Sequence, residues 1–218
     1  MIKFFQKLKA KKGFTLVELI VVIAIIGVLA AILIPTMLGY VTSSRVTSAD
    51  STAAGIEDTI DVFLTAADTA GYGALQSSTA VSRVSGDIAT TGVWTITVAT
   101  PAAFKSTNTI SWTGSGTGSA NQTKVGATAA EQLLAIELAN KFPDVTSGTF
   151  VAYISAGDCS CVAWTADSSS NADLAPIESN MVAGTGKWSS LTYTWDNTTA
   201  GVDSNGRIVG TSPKVNLG

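Results

Sequence analysis

The stretch Lys11-Lys12-Gly13-Phe14-Thr15-Leu16-Val17-Glu18-Leu19 decides the organisation of this chain. A basic segment ends at Gly13, and an apolar run follows at once with one carboxylate, Glu18, near its start. Phe14 to Ile34 is 21 residues. As a helix this run extends about 31 Å, which matches the thickness of a bilayer's hydrocarbon core. The pattern predicts a membrane-spanning helix.

The leader before the run, residues 1–13, carries five lysines and no acid. A positive segment beside a span stays on the cytoplasmic side of the membrane. The run is longer than the roughly 7–15 apolar residues of a secretory signal. A plain signal anchor needs no carboxylate in its span, where a charge is costly and marks function. Glu18 therefore indicates assembly, and its natural partner is the α-amino group that a cut after Gly13 would create on Phe14.

The segment Gly13-Phe14-Thr15-Leu16-Val17-Glu18 resembles the processing site of type IV prepilins, which type IV pilins share with type II secretion pseudopilins. The resemblance covers residues 11 to about 40. It implies cleavage between Gly13 and Phe14 by a prepilin peptidase, and N-methylation of Phe14. It also implies that Glu18 neutralises the amino group of an adjacent subunit during assembly.

The resemblance further implies that the filament-core helix loosens or kinks at Gly27 and Pro35. Glycine adds backbone freedom, and proline lacks the N–H that a helix interior needs. The expected partners are identical subunits in a helical homopolymer, prepilin peptidase, pilus assembly machinery and, before assembly, the membrane. The expected location is the cytoplasmic membrane for the precursor, with its amino end inside, and a surface filament for the assembled subunit.

The distribution of charged residues argues against direct binding to nucleic acid. The leader holds five of the thirteen basic residues and none of the sixteen acidic ones, so the chain after Gly13 has eight basic residues and a formal charge of −8. The remaining lysines and arginines are scattered along the sequence. Because phosphate binding needs clustered lysine and arginine, direct binding to nucleic acid is not expected.

The elements predict an α+β fold, in which a long amino-terminal helix packs on a carboxyl-terminal domain with an antiparallel sheet, as in type IV pilins. We expect a cleaved leader at 1–13, an apolar helix at 14–38, its continuation at 39–70 and a globular domain at 71–218. Strands are predicted at 93–98, 110–112, 150–154, 162–165, 191–195 and 207–209. Residues 74–92 are predicted as a loop, 114–118 as a turn, and 128–142 as a helix opened by a capping box of Thr128 and Glu131.

Cys159 and Cys161 are predicted to lie between the two strands of a hairpin. Exported cysteines tend to pair, but a bridge across one residue is strained. A local or labile disulfide, two free thiols and a bond between subunits remain open. Pilins often close a loop near the carboxyl end with a disulfide, and this chain has no cysteine after Cys161.

No catalytic, metal or cofactor site is expected. The chain has no histidine, and no residues select a nucleophile–base pair. Asp196, Asp203 and Asn205 favour turn chemistry over a calcium site. The acceptor patterns that begin at Asn121 and Asn197 are too short to establish glycosylation.

The sequence therefore predicts a structural subunit, the major pilin, of a type IV pilus that serves adhesion, motility or DNA uptake. One alternative is a minor pilin or a pseudopilin of a type II secretion or DNA-uptake machine. A second alternative, from another class, is a membrane-anchored surface binding protein that does not polymerise.

Overall fold

The structure is a computed structural model, and it describes residues 14–69, 82–89, 91–99, 112–124, 129–155, 157–167, 170–174, 201–202 and 206–213. The chain divides into two units, Met1–Thr42 and Ser43–Gly218. The predicted strand at 191–195, and Asp196, Asn197, Asp203 and Asn205, lie outside the described residues.

Helix α1 spans Leu16–Thr69 and contains Pro35. Within the second unit, its buried positions recur every three or four residues, which is the spacing of one helical face. These residues are Ala53, Ile56, Ile60, Leu64 and Ala67. The second half of α1 is therefore an amphipathic helix whose apolar stripe packs on the globular unit.

Seven hydroxyl groups of α1 donate to carbonyl oxygens three or four residues earlier on the same helix. They belong to Thr36, Thr42, Thr47, Ser51, Thr52, Thr59 and Thr69. Serine and threonine are poor helix formers in isolation because they compete for backbone groups. In α1 each of these hydroxyls takes a backbone carbonyl as its acceptor.

The described sheet has six strands in the order β3-β2-β1-β4-β5-β6, and every neighbouring pair is antiparallel. The strands are β1 Ser82–Ile88, β2 Trp94–Val98, β3 Ser115–Gly118, β4 Gly148–Ser155, β5 Asp158–Thr165 and β6 Gly210–Ser212. Helix α2, Ala130–Lys141, lies between β3 and β4 in sequence, and a short 3-10 helix, Asn171–Leu174, follows β5. The predicted α+β fold, a long apolar helix with an antiparallel sheet domain, is confirmed.

The main core joins the stripe of α1, helix α2 and one face of the sheet. At its centre Trp94 is 1% exposed, and its ring stacks on Phe142 and Trp164 with centroids 6.0 and 6.5 Å apart. Stacked aromatic rings add to the stabilisation from buried area. A smaller cluster of Val151, Ala163, Leu174 and Val209 lies apart from this core.

The predicted turn at 114–118 is wrong, because Ser115–Gly118 forms β3. Side chains at Gly116 and Gly118 would overlap the backbone of α2 at Gln132 and Ile136. The glycines are therefore explained by the close approach of a helix to a strand.

The start of α2 also differs from the prediction. Its N-cap is Ala129, without a side-chain cap, and Thr128 lies outside the described residues. The fully buried Glu131 accepts hydrogen bonds from the backbone N–H groups of Thr113 and Gly114, at 2.7 and 2.6 Å. Glu131 thus fixes the entry to β3 rather than the helix terminus.

The other strand predictions have mixed outcomes. The strand at 93–98 and the 150–154/162–165 hairpin are confirmed as β2, β4 and β5. The loop at 74–92 is wrong where β1 forms. The strand predicted at 207–209 is shifted to Gly210–Ser212, and Ile208 only forms an isolated bridge with Val202. In the strand predicted at 110–112, only Trp112 is described, and it is not in a strand.

Candidate functional site

A capping box opens α1 at the residues of the predicted processing site. The Thr15 N–H donates to Glu18 Oε2 at 2.8 Å, and the Glu18 N–H donates to Thr15 Oγ1 at 3.2 Å. The Thr15 hydroxyl also donates to Glu18 Oε2, at 2.8 Å. Each residue thus satisfies a backbone donor of the other. This box was not predicted, although Thr-x-x-Glu before an apolar run is its signature.

This geometry fixes the carboxylate of Glu18 beside the amino-terminal end of α1. Phe14 precedes Thr15 directly and is 85% exposed. An amine on Phe14 would therefore lie next to the residue that Glu18 already contacts. The roles of Gly13, Phe14 and Glu18 in cleavage, methylation and assembly stay predictions.

The first half of α1 exposes an almost continuous apolar surface. Its large apolar residues from Leu16 to Leu38 are each about half exposed or more. Such a surface is far larger than isolated soluble proteins expose, and it marks contact with lipid or protein. Among the described residues, α1 is the one helix long and apolar enough to cross a membrane by length and composition.

Gly27 and Pro35 both lie inside this apolar half, and α1 is helical through both positions. A methyl group at Gly27 would meet nothing in the same chain. The loosening of the helix at Gly27 and Pro35 in a filament stays a prediction.

The carboxyl-terminal segment is held to the second half of α1 without a disulfide. Strand β6 pairs with β5, and the Thr211 N–H donates to Asp50 Oδ1 of α1 at 3.0 Å. The Ile208 N–H donates to Asp167 Oδ2 at 2.9 Å. A side chain at Gly210 would overlap the backbone of α1 at Ala49 and Asp50. We call residues 206–213 with these contacts the carboxyl-terminal clamp.

The two cysteines were predicted to lie between the two strands of a hairpin. That prediction is wrong, because both lie within β5. A register shift in the β4–β5 pair places Cys161 opposite Tyr153 and Cys159 opposite Ile154. Because adjacent residues of β4 point to opposite faces, the two cysteines do so as well. Both are buried thiols. Of the three alternatives, a local disulfide does not fit this arrangement.

Burial makes these thiols unreactive. Together with the nearby carboxylate of Glu57, it raises the pKa of Cys161 to about 12. Burial also raises the pKa of Cys159, with additional contributions from Asp61 and Glu57. Since the thiolate is the reactive form, we expect neither cysteine to exchange or oxidise readily.

Two carboxyl groups of α1 face the sheet beside the cysteines. Burial raises the pKa of Glu57, against a hydrogen bond from Ser212 that lowers it. Burial also raises the pKa of Asp61. The Cys159 N–H donates to Asp61 Oδ1 at 2.6 Å, and this hydrogen bond lowers the pKa in part. The nearby Asp58 raises both values.

These shifts predict a gain in stability on mild acidification. A carboxyl group whose pKa is higher in the folded state binds protons more strongly there than in the unfolded chain. Its stabilising contribution is full below the unfolded pKa, and it is lost as pH rises through the raised folded pKa. The unfolded values are near 4.5 for Glu57 and 3.8 for Asp61. We expect the melting temperature to rise as pH falls from neutral towards these values.

The variant Asp61→Asn should reduce this pH dependence and stabilise the protein at neutral pH, because asparagine keeps the acceptor for the Cys159 N–H without a charge. Thermal unfolding of the purified protein at several pH values would measure both effects. The control Asp68→Asn removes a charge farther along α1. Parallel pH profiles for wild type and Asp61→Asn would contradict the assignment.

No group of three or more histidine, cysteine, aspartate or glutamate side chains in the described ranges could hold a metal ion. The site that the structure does assemble is the amino-terminal one: a capped Glu18, an adjacent Phe14 and an exposed apolar helix.

Comparisons with known proteins match this amino-terminal site. Residues 8–34 match the model of the prokaryotic N-terminal methylation motif. A fimbrial protein of Moraxella nonliquefaciens is 47% identical over 53 residues, which cover 24% of this chain and 34% of that protein. A type IV major alpha-pilin of Moraxella bovis is 44% identical over 57 residues, covering 26% of this chain and 36% of that protein. A Pseudomonas aeruginosa fimbrial protein is 57% identical over 44 residues, covering 20% and 29%.

The chain thus matches about a third of the length of these curated relatives. No solved structure matches it. The predicted resemblance of its amino-terminal segment to type IV prepilins is confirmed, and the relatives that share the segment are fimbrial proteins and major pilins.

Proposed function

We propose that this chain is the structural subunit, and specifically the major pilin, of a type IV pilus. The observation that supports this most is the position of Glu18. It lies in a methylation motif, is held by Thr15 at the start of α1, and opens an exposed apolar helix. A lone carboxylate in such a helix needs a cationic partner, and a newly formed amine on Phe14 supplies one.

The proposed precursor spans the cytoplasmic membrane once, with its basic leader inside. Prepilin peptidase cuts the peptide bond between Gly13 and Phe14, and the new amine is methylated. The subunit then leaves lipid for a filament, in which Glu18 of one copy pairs with the Phe14 amine of the next. Gly27 and Pro35 allow α1 to adapt to its neighbours.

Cohesion of the filament comes from the apolar half of α1. In lipid this surface is already removed from water, so assembly exchanges lipid contact for protein contact and the net gain depends on packing. The acidic globular unit faces outward. This role requires no catalytic group, and the proposal assigns none.

The relatives' names favour a major pilin over a minor pilin or pseudopilin. The presence of Glu18 also disfavours a tip subunit, because a tip has no neighbour beyond it whose amine needs a partner. A membrane-anchored binding protein that never polymerises is the remaining alternative.

The test is the mass of the protein in membranes and in material sheared from the cell surface. We expect a chain without its first thirteen residues and with one added methyl group, in filaments visible by immunogold microscopy. The variant Gly13→Val should leave the uncut precursor in the membrane and abolish filaments. An uncut chain at the surface would refute the proposal, and a cut chain that never enters filaments would favour the binding protein.

A further inference from the structure

An open cleft of about 500 Å³ lies in the unit Ser43–Gly218. Its wall is formed by one face of α1, the loop before β4, the end of β5 and the carboxyl-terminal clamp. The lining residues that matter here are Arg45, Ser48, Thr52, Asp144, Asp167 and Ile208. Charged and hydroxyl side chains are interspersed with Val145, Trp164 and Ile208 in its lining, so the cleft offers hydrogen-bonding groups as well as apolar surface.

The described lining of the cleft contains one arginine, Arg45, and two carboxylates, those of Asp144 and Asp167. The carboxylate of Asp167 accepts a hydrogen bond from the Ile208 N–H, so it belongs to the clamp. Arg45 and Asp144 are exposed. Within the described part of the chain, neither forms a hydrogen bond or ion pair, whereas Lys124 and Glu137 pair with each other. The cleft therefore presents an arginine whose five donors are available to an incoming group.

We propose that this cleft is a subunit interface, in which Arg45 binds a carboxylate on the globular unit of a second copy. This inference rests on the proposed homopolymer. A second copy can supply this carboxylate, since the chain after Gly13 carries sixteen acidic and eight basic residues. Arginine can hold a carboxylate with two parallel hydrogen bonds, which fixes orientation as well as energy.

An isolated surface ion pair contributes little. In a helical polymer the same pair recurs at every subunit and sets the register between copies, and like charges brought together at an interface cost far more than a lost pair. Reversing the charge of Arg45 should therefore affect assembly more than removing it.

The first test compares Arg45→Glu, Arg45→Ala and the control Lys141→Glu, an exposed residue at the end of α2 with the same charge change. We expect about tenfold fewer surface filaments for Arg45→Glu, a smaller loss for Arg45→Ala and no loss for Lys141→Glu. Mass spectrometry and thermal unfolding of each variant should show normal cleavage and folding.

The second test identifies the occupant. A photocrosslinking phenylalanine analogue at position 45, irradiated in intact filaments, should join two copies of this chain through a residue of the globular unit. A crosslink to a different protein would overturn the inference, as would normal filaments from a cleaved, folded Arg45→Glu variant. Neither outcome would contradict the proposed function. The proposed function would fail separately if wild-type chains were never cut or never polymerised.

Discussion

Cells that carry Glu18→Ala in place of the wild-type chain should make and cleave the protein but assemble almost no filaments. The variant loses the carboxylate that is proposed to pair with the neighbouring Phe14 amine. An unpaired ammonium group would then have to enter an apolar helix bundle, and an uncompensated charge buried in this way costs several kcal/mol. Immunogold microscopy and the amount of sheared subunit would measure the loss.

The capping box makes this test more demanding, because Glu18 also accepts the Thr15 N–H. Glu18→Gln keeps an acceptor for that N–H and removes the charge. Thr15→Ala keeps the charge and removes the hydroxyl, at a cost of about 1 kcal/mol for an N-cap. If charge is decisive, Glu18→Gln should fail like Glu18→Ala and Thr15→Ala should assemble. Normal filaments from Glu18→Gln would show that Glu18 acts only as a cap.

The variant Gly210→Val should be the most destabilising single substitution in the carboxyl-terminal clamp. Its side chain would overlap the main chain of α1 at Ala49 and Asp50, which cannot rotate away as a side chain can. Moving β6 outward would also break the bond from the Thr211 N–H to Asp50, and overpacking alone typically costs about 1–3 kcal/mol. We expect a total of about 3 kcal/mol, or roughly a 6–12 °C lower melting temperature.

A graded series checks this explanation. Gly210→Ala should destabilise less than Gly210→Val, since only one carbon must be accommodated. Gly39→Ala is the matched control, because a methyl group there meets nothing in the chain and alanine favours helix. Thermal unfolding and protease sensitivity of the carboxyl-terminal end would report the order. Equal stability of Gly210→Val and wild type would contradict the clamp.

Elements with strong local patterns could be predicted from the sequence. Helix α1 has an apolar run and a stripe at helical spacing, and β4 and β5 are rich in branched and aromatic residues. The candidate site followed from charge placement around Gly13 and Phe14. These signals need no tertiary information.

The missed elements depend on tertiary contacts. Strand β1 reads Ser-Arg-Val-Ser-Gly-Asp-Ile, and Gly86 is small because the Phe150 ring covers it. Strand β3 carries glycines that admit α2, and the register shift that separates Cys159 from Cys161 is set by pairing with β4. The clamp joins Asp50 and Thr211, which are 161 residues apart. No local sequence pattern predicts a hydrogen bond between residues so distant in the chain.

The hydroxyl groups of α1 have a consequence for the polymer. A helix rich in serine and threonine would ordinarily bring donors that each need a new acceptor when water is withdrawn. On α1 Thr36, Thr42 and Thr47 already donate to their own helix. Each of these three residues can therefore move among water, lipid and other helices with its hydroxyl donor satisfied, so its packing against a neighbour is not restricted to one hydrogen-bonding partner.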